Sequence, residues 1–209
     1  DIREQFHALN AFEPGNGEGP VLDGVFLTHA HIGHYAGLMF LGHESAATKS
    51  LNVFAMPRME KFLRNNGPWS QLVDYKNIEI FPLADQVWVE LSGGIKVKPY
   101  QVPHRDEFSE TVAFEIKSSK KSVLFLPDID SWSEWESEYG HSLQERVAAV
   151  DLAFLDATFF DNNELPGRDM SEIPHPRMVE TMEVFDNLPE TEKNKVYFIH
   201  LNHTNPARF

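Results

Sequence analysis

The chain has 209 residues, of which 42% are hydrophobic, and this is enough to bury one sizeable core. Its formal net charge is −14 and no run of Lys or Arg exceeds two residues, which argues against nucleic acid as a partner because phosphate binding requires clustered cations. Cys is absent, so the chain has no disulfide and no thiolate ligand, and any bound metal must be held by His and carboxylate.

The sequence predicts neither a membrane span nor a signal peptide. No stretch approaches the roughly 18 apolar residues of a membrane helix, and the N-terminus lacks a basic region followed by an apolar one. The sequence does not decide the cellular compartment, because a chain without Cys suits reducing and oxidising environments alike. The cytoplasm is weakly favoured.

The first residues of the chain predict a short helix over 1–6, followed by a glycine-rich piece at 14–20. This piece has neither a preceding strand nor a Gly-Lys-Ser/Thr ending, so we interpret it as a turn rather than a phosphate loop. An apolar run then predicts a strand over 24–28, a loop with three histidines, and a helix over 34–47.

A second strand is predicted over 51–55, and Pro57 is well placed to start the helix over 58–64. The alternation of strand and helix predicts a parallel sheet with helices on its face. From residue 78 the pattern changes to short β segments separated by turns, which predicts an antiparallel meander with strands over 78–81, 87–91, 95–102, 111–116 and 123–126.

The last third of the chain predicts further helices and strands. Ser131 and Glu134 form a capping box for an acidic helix that breaks near Gly140. The remaining predicted elements are a buried strand over 151–156, an irregular loop to Pro174, a helix over 175–187 and a strand over 196–199.

Three histidines lie within six residues where the first predicted strand gives way to a helix. His29 and His31 are two apart, so in an extended segment both rings point to the same side and suit one metal ion. His34 lies past Gly33 and is expected to face elsewhere, where it can hold a second ion. The alternative is a histidine-rich loop that binds no metal.

This spacing resembles the His-x-His-x-Asp-His signature of the metallo-β-lactamase superfamily of metal-dependent hydrolases, with Gly33 in place of the aspartate. The resemblance implies an α/β fold, the αββα sandwich with mixed sheets covered by helices, as a single domain over residues 1–209. It also implies that the chain is a fragment of a longer protein that lacks the first strands and the last segment.

The resemblance further implies which residues hold metal. His29, His31 and His104 would hold the first ion, Asp128 would bridge, and His34 with His200 would hold the second ion. Imidazole and carboxylate ligands suit zinc, iron or manganese, with zinc favoured, and the site takes one or two divalent ions.

Gly33 removes one carboxylate from the second ion, so a mononuclear site is an alternative. Asp106 and Glu107 are candidates to compensate for it. For His104 and Asp128 taken singly, the alternative is a structural role.

Residues 1–3, 154–160 and 200–206 resemble the pyrroloquinoline quinone biosynthesis protein B branch of this superfamily, and the likeness covers nearly the whole chain. The chain differs from that branch because it keeps the first two histidines and has no cysteine cluster. His175 resembles the catalytic histidine of the phosphodiesterase and ribonuclease Z branches and could protonate a leaving group; the alternative is a helix-start residue. His203 is predicted either to support His200 or to contact substrate.

The leading functional hypothesis is a hydrolase in which a metal-bound hydroxide attacks an ester, amide or phosphodiester, with Asp128, His175 and His203 as catalytic candidates. The first alternative is an iron-dependent oxidoreductase or hydroxylase of the protein B type. The second is a non-catalytic binding module on the same fold. The expected partner is a small-molecule substrate, with no nucleic acid and no membrane, and a homodimer is left open.

Overall fold

A computed structural model describes residues 2–12 and 22–209, so the turn predicted at 14–20 lies outside the described residues. The described residues form two compact units. The first contains the chain up to Ala84 together with Asp106–Glu110, and the second contains Asp85–Arg105 and Thr111–Phe209. The single domain over residues 1–209 stays a prediction.

The first unit is built on a three-stranded parallel sheet in the order β1-β2-β3, which confirms the predicted parallel sheet. Its core includes Val53 and Ala55 of the central strand and Leu63 of the following helix, all fully buried. Its elements are α1 (Ile2–Phe12), β1 (Gly24–Phe26), α2 (Ile32–Tyr35), β2 (Leu51–Ala55), α3 (Pro57–Asn65), α4 (Trp69–Asp74) and β3 (Ile78–Pro82).

Two predictions for this unit were wrong. The helix expected over 34–47 is only α2 followed by a 3₁₀ segment, Ala36–Leu41, because the extended backbone at Gly42 ends it. The strand at Ile78, predicted as part of the meander, pairs in parallel with β2. The unpredicted helix α4 connects α3 to β3 and makes this crossover possible.

The second unit is built on a six-stranded sheet in the order β4-β5-β6-β7-β8-β9. Strands β4 to β7 pair antiparallel, as the predicted meander requires, and β7, β8 and β9 pair in parallel. Its elements are β4 (Val89–Glu90), β5 (Lys96–Gln101), β6 (Val112–Lys117), β7 (Ser122–Leu126), α5 (Trp132–Tyr139), α6 (Leu143–Ala148), β8 (Leu152–Asp156), α7 (Met178–Phe185), α8 (Glu190–Lys193) and β9 (Val196–Ile199).

Helix α5 begins and ends where its sequence predicts. The Ser131 hydroxyl accepts a hydrogen bond from the Glu134 backbone N–H at 3.3 Å, and Gly140 ends the helix at φ 73°, a conformation that glycine adopts without strain. Trp135 of this helix is fully buried and donates its Nε1–H to the Gln101 carbonyl at 2.9 Å. Helix α5 is thereby held against the end of β5.

The sheet of the second unit brings several polar side chains to one edge. Strands β5, β7, β8 and β9 all run in the same direction, so their carboxyl ends lie on that edge. His104 follows β5, Asp128 follows β7, Asp156 ends β8 and His200 follows β9. Open sheets commonly place their active sites at such an edge.

Candidate metal site

The histidine loop of the first unit follows β1 in extended conformation. His29 is 1% exposed, and its Nε2 lies 2.9 Å from Nδ1 of His31, so both rings lie on the same side as predicted. Two nitrogens that share one tetrahedral zinc at about 2 Å lie roughly 3.3 Å apart. At 2.9 Å the pair is at hydrogen-bond distance and would have to separate by a few tenths of an ångström to share a single ion.

The third histidine of the loop lies close to the first, with the ring centroid of His34 4.3 Å from that of His29. That His34 holds a second ion stays a prediction. A carboxylate also contacts the loop, since Oε2 of Glu107 lies 3.1 Å from Nε2 of His31.

In the second unit, Asp128 lies at the centre of a buried cluster and is itself 3% exposed. Its carboxylate oxygens lie 3.8 Å from Nε2 of His104, 3.4 Å from Nε2 of His200 and 3.6 Å from Nδ1 of His175. The predicted residues of this unit that the structure brings together are therefore His104, Asp128, His175 and His200.

Two neighbours orient the rings of this cluster. His104 donates from Nδ1 to the Asp130 carboxylate at 2.6 Å, because an ionised carboxylate only accepts. The Thr158 hydroxyl donates to Asp156 at 2.6 Å and therefore accepts from Nδ1 of His200 at 2.7 Å. In the neutral form of both rings, the second nitrogen, Nε2, carries the lone pair, and it faces Asp128.

The cluster therefore has the chemistry of a metal site. With neutral rings, Nε2 of His104, Nε2 of His200 and the Asp128 carboxylate are all acceptors, and such acceptors repel one another unless a cation or a ring proton lies among them. A ring whose other nitrogen donates to a carboxylate or hydroxyl is the usual arrangement of a metal-ligating histidine. The residues present thus fit a divalent cation.

The backbone at His200 supports the same conclusion. Its φ is 62°, in the left-handed region that a residue other than glycine occupies at a cost of about 1–2 kcal/mol. This conformation directs the ring back towards Thr158 and Asp128 directly after β9.

His175 lies beside this cluster and is held by a second carboxylate. It donates from Nδ1 to Asp156 at 2.8 Å. Burial lowers the pKa of His175, but its hydrogen bond to Asp156 and the charges of Asp156, Asp128 and Asp130 outweigh burial, so the pKa is raised above its ordinary value. His175 therefore keeps its second ring proton to a higher pH than an ordinary histidine does.

Asp156 is a site residue that sequence reasoning missed. It is fully buried, and its carboxylate accepts hydrogen bonds from His175, from the Ile129 N–H at 3.1 Å, and from the N–H and hydroxyl of Thr158. Asp128, Asp156 and His175 each offer a ligand atom within 4.8 Å of the others. Its sequence signals were its place at the end of a buried strand and within residues 154–160.

His203 is placed differently from the other predicted residues. Its side chain is exposed, and Nδ1 lies 3.1 Å from Oδ1 of the adjacent Asn202. Its catalytic role stays a prediction, as does the complete ligand set of six residues.

Comparison with known families decides what kind of fold carries this cluster. The family model of the beta-lactamase superfamily domain matches residues 1–201. The chain belongs to the beta-lactamase superfamily. The predicted resemblance and the predicted fold class are both confirmed.

Relatives of this superfamily member support the predicted branch. Coenzyme PQQ synthesis protein B of Rhizobium meliloti (strain 1021) is 25% identical over 231 residues, which cover 99% of this chain and 70% of the relative. The crystal structure of Zn²⁺-bound PqqB from Methylobacterium extorquens matches with a TM-score of 0.75 at 20% identity, over 99% of this chain and 71% of that chain.

A hydrolytic enzyme is also among the structural matches. A diphosphatase from the PhnP family matches with a TM-score of 0.63 at 21% identity, over 100% of this chain and 68% of that chain. At these identities the matches show a shared fold.

Among residues 2–12 and 22–209, no helix combines the length and the apolar character needed to cross a bilayer.

Proposed function

We propose that this superfamily member is a metal-dependent hydrolase that cleaves an ester, amide or phosphodiester bond in a small molecule. The observation that carries the proposal is the convergence of Nε2 of His104 and Nε2 of His200 on the buried Asp128 carboxylate. Membership of the beta-lactamase superfamily and the fold shared with a diphosphatase support it.

The proposed ligands combine the sequence motif with this cluster. They are His29, His31, His34, His104, Asp128 and His200, holding one or two divalent ions. Zinc is favoured because the similar PqqB is described as Zn²⁺-bound. When bound, such an ion lowers the pKa of water towards about 7 and polarises the substrate oxygen.

His175 is the proposed general acid. Its Nδ1–H is engaged by Asp156, which leaves Nε2 to deliver a proton to the leaving group. His175 also lines a cavity of about 380 Å³ together with Asp130 and Trp132, which offers room for a small substrate beside the ring. Asp156 acts through His175 as a positioning residue.

The alternative is an iron-dependent oxidoreductase of the protein B type. It is favoured by the 25% identity to coenzyme PQQ synthesis protein B over 99% of the chain. The two functions differ in metal preference and in the need for oxygen, so they can be separated directly.

The test is elemental analysis of protein purified without added metal, followed by assays with p-nitrophenyl acetate and bis-p-nitrophenyl phosphate. We expect zinc or manganese and metal-dependent hydrolysis. His175→Ala should lower kcat by about 10²- to 10⁴-fold with metal retained, since general acid catalysis contributes that much. Asp128→Asn should lose metal, and the exposed His43→Ala is the control with parental values.

Hydrolysis at the parental rate by His175→Ala would overturn its role as the acid. Absence of hydrolysis with every divalent metal, combined with oxygen uptake by ferrous-loaded protein, would overturn the hydrolase in favour of the oxidoreductase.

A further inference from the structure

Residues 106–110, here called the strap, are held by the first unit at each of their side chains. Asp106 accepts from Arg58 Nη1 at 2.6 Å, and the Glu110 carboxylate accepts from the Arg58 backbone N–H at 3.0 Å. The hydroxyl of Ser109, which is 2% exposed, accepts from the Ala30 N–H at 2.8 Å. The Phe108 ring lies 5.5 Å from the ring of Phe62 in α3, measured between centroids. The strap is therefore a positioned segment, fixed to α3 and to the histidine loop.

Glu107 is the strap residue that contacts the histidine motif. Its Oε2 lies 3.1 Å from Nε2 of His31. Because an ionised carboxylate only accepts, Nε2 of His31 carries a proton, and in the neutral ring Nδ1 therefore keeps its lone pair. That lone pair lies 2.9 Å from Nε2 of His29, on the side where the motif is expected to hold metal.

We propose that Glu107 is a positioning residue that selects Nδ1 of His31 as the metal-ligating nitrogen. The proposal rests on the proposed metal site. The strap supplies this carboxylate to the histidine motif from 76 residues further along the chain. Glu107 acts through His31 rather than as a ligand.

The alternative for Glu107 is an ordinary surface ion pair. The Glu107 side chain is 50% exposed and that of His31 is 23% exposed, and exposed pairs add little to stability. The two interpretations differ in whether Glu107 decides which ring nitrogen of His31 carries the proton. Without Glu107, that proton can move to Nδ1 and be donated to Nε2 of His29, which blocks the ligating lone pair.

The first measurement uses metal-free protein and ¹⁵N NMR of the imidazole nitrogens at about pH 8, where an ordinary histidine is neutral. The parent should show His31 protonated at Nε2. Glu107→Leu should populate the Nδ1–H form, and Glu107→Gln should restore Nε2–H because its amide oxygen still accepts. Asp106→Asn is the matched control, since it removes the same charge from the same strap while the asparagine oxygen can still accept from Arg58.

The second measurement is competition titration with Zn²⁺ against a chromogenic chelator. Glu107→Leu should weaken affinity about 10-fold, at the low end for partners of metal-ligating histidines because Glu107 is half exposed. Asp106→Asn should stay within about two-fold of the parent, well inside that range.

A Glu107→Leu protein that keeps His31 protonated at Nε2 would overturn the proposal. Equal losses of Zn²⁺ affinity in Glu107→Leu and Asp106→Asn would also overturn the proposal, because the loss of one negative charge would then explain the whole effect. The tautomer measurement needs neither metal nor turnover, so its failure is distinct from a failure of the proposed hydrolase.

Discussion

Gly33 replaces a carboxylate of the superfamily signature, and the structure removes one explanation for it. A glycine can be required by a positive φ or by a close neighbour. Gly33 lies within α2, its φ is outside the left-handed region, and a Cβ at this position would meet no atom within 4 Å. A left-handed bend therefore does not explain the glycine at this position.

Gly33→Asp is expected to fold with parental or higher stability and to bind about one more metal equivalent. Glycine inside a helix costs about 0.5–1 kcal/mol relative to alanine, so a side chain here does not destabilise the fold. The added carboxylate restores a ligand beside His34. Thermal melting and metal content per chain at saturating supply measure the two effects.

Gly33→Ala is the matched control, because it changes the backbone preference in the same direction without adding a ligand. Equal metal content in Gly33→Asp and Gly33→Ala would contradict the explanation that the second site is weak for lack of this carboxylate.

At the scale of elements, Asp151 joins the starts of two parallel strands, β7 and β8. Its carboxylate accepts from the N–H of Ser122 at 2.8 Å, from the hydroxyl of Ser122 at 3.0 Å and from Nζ of Lys121 at 2.9 Å. The hydrogen bonds from Lys121 and Ser122 lower the pKa of Asp151 to about 2. The pair of strands is thereby fixed at the end opposite the candidate site.

The stabilisation by Asp151 should depend on pH in a defined window. A carboxylate whose pKa is lowered on folding stabilises the native state above its unfolded pKa of about 3.9, and this contribution is lost as pH falls towards about 2. The difference in urea midpoint between the parent and Asp151→Asn should be full at about pH 5 and shrink below about pH 4. A difference that stays constant across this range would refute the assignment.

At the scale of the whole molecule, the negative net charge and the buried hydrogen-bond acceptors both favour the binding of a cation. The chain has 32 acidic and 18 basic residues, and the second unit buries Asp128 and Asp156 among the histidines of the candidate site. Clustered acceptors are costly unless a cation balances them. A divalent ion should therefore stabilise the native state.

Zn²⁺ or Mn²⁺ at about 100 times its Kd should stabilise the protein by about 2.7 kcal/mol, which corresponds to a rise in Tm of roughly 5–10 °C for a chain of this size. Thermal scans with metal and with a chelator measure the rise, and KCl at matched ionic strength controls for screening. An equal rise in Asp128→Asn would show that the ion binds elsewhere.

The sequence by itself determined most strands of the second unit, the cap and break of α5, and the positions of His104, Asp128 and His200 after strands. These features depend on residues near one another in the chain: apolar runs, turn residues and capping pairs. The pair of His29 and His31 was predictable for the same reason, because alternation in an extended segment sets the side of each ring.

Only the tertiary structure decided the partner of β3, the role of Asp156 and the contact of Glu107 with His31. Asp156 ends a strand much as Asp128 follows one, and nothing local distinguishes an aspartate that orients histidines from one that ligates metal. Glu107 contacts a residue 76 positions away, and β3 joins the first sheet because α4 carries the chain back to it. Such pairings depend on the free energy with which distant segments pack together. The local conformational preference of a short stretch of sequence does not include this free energy.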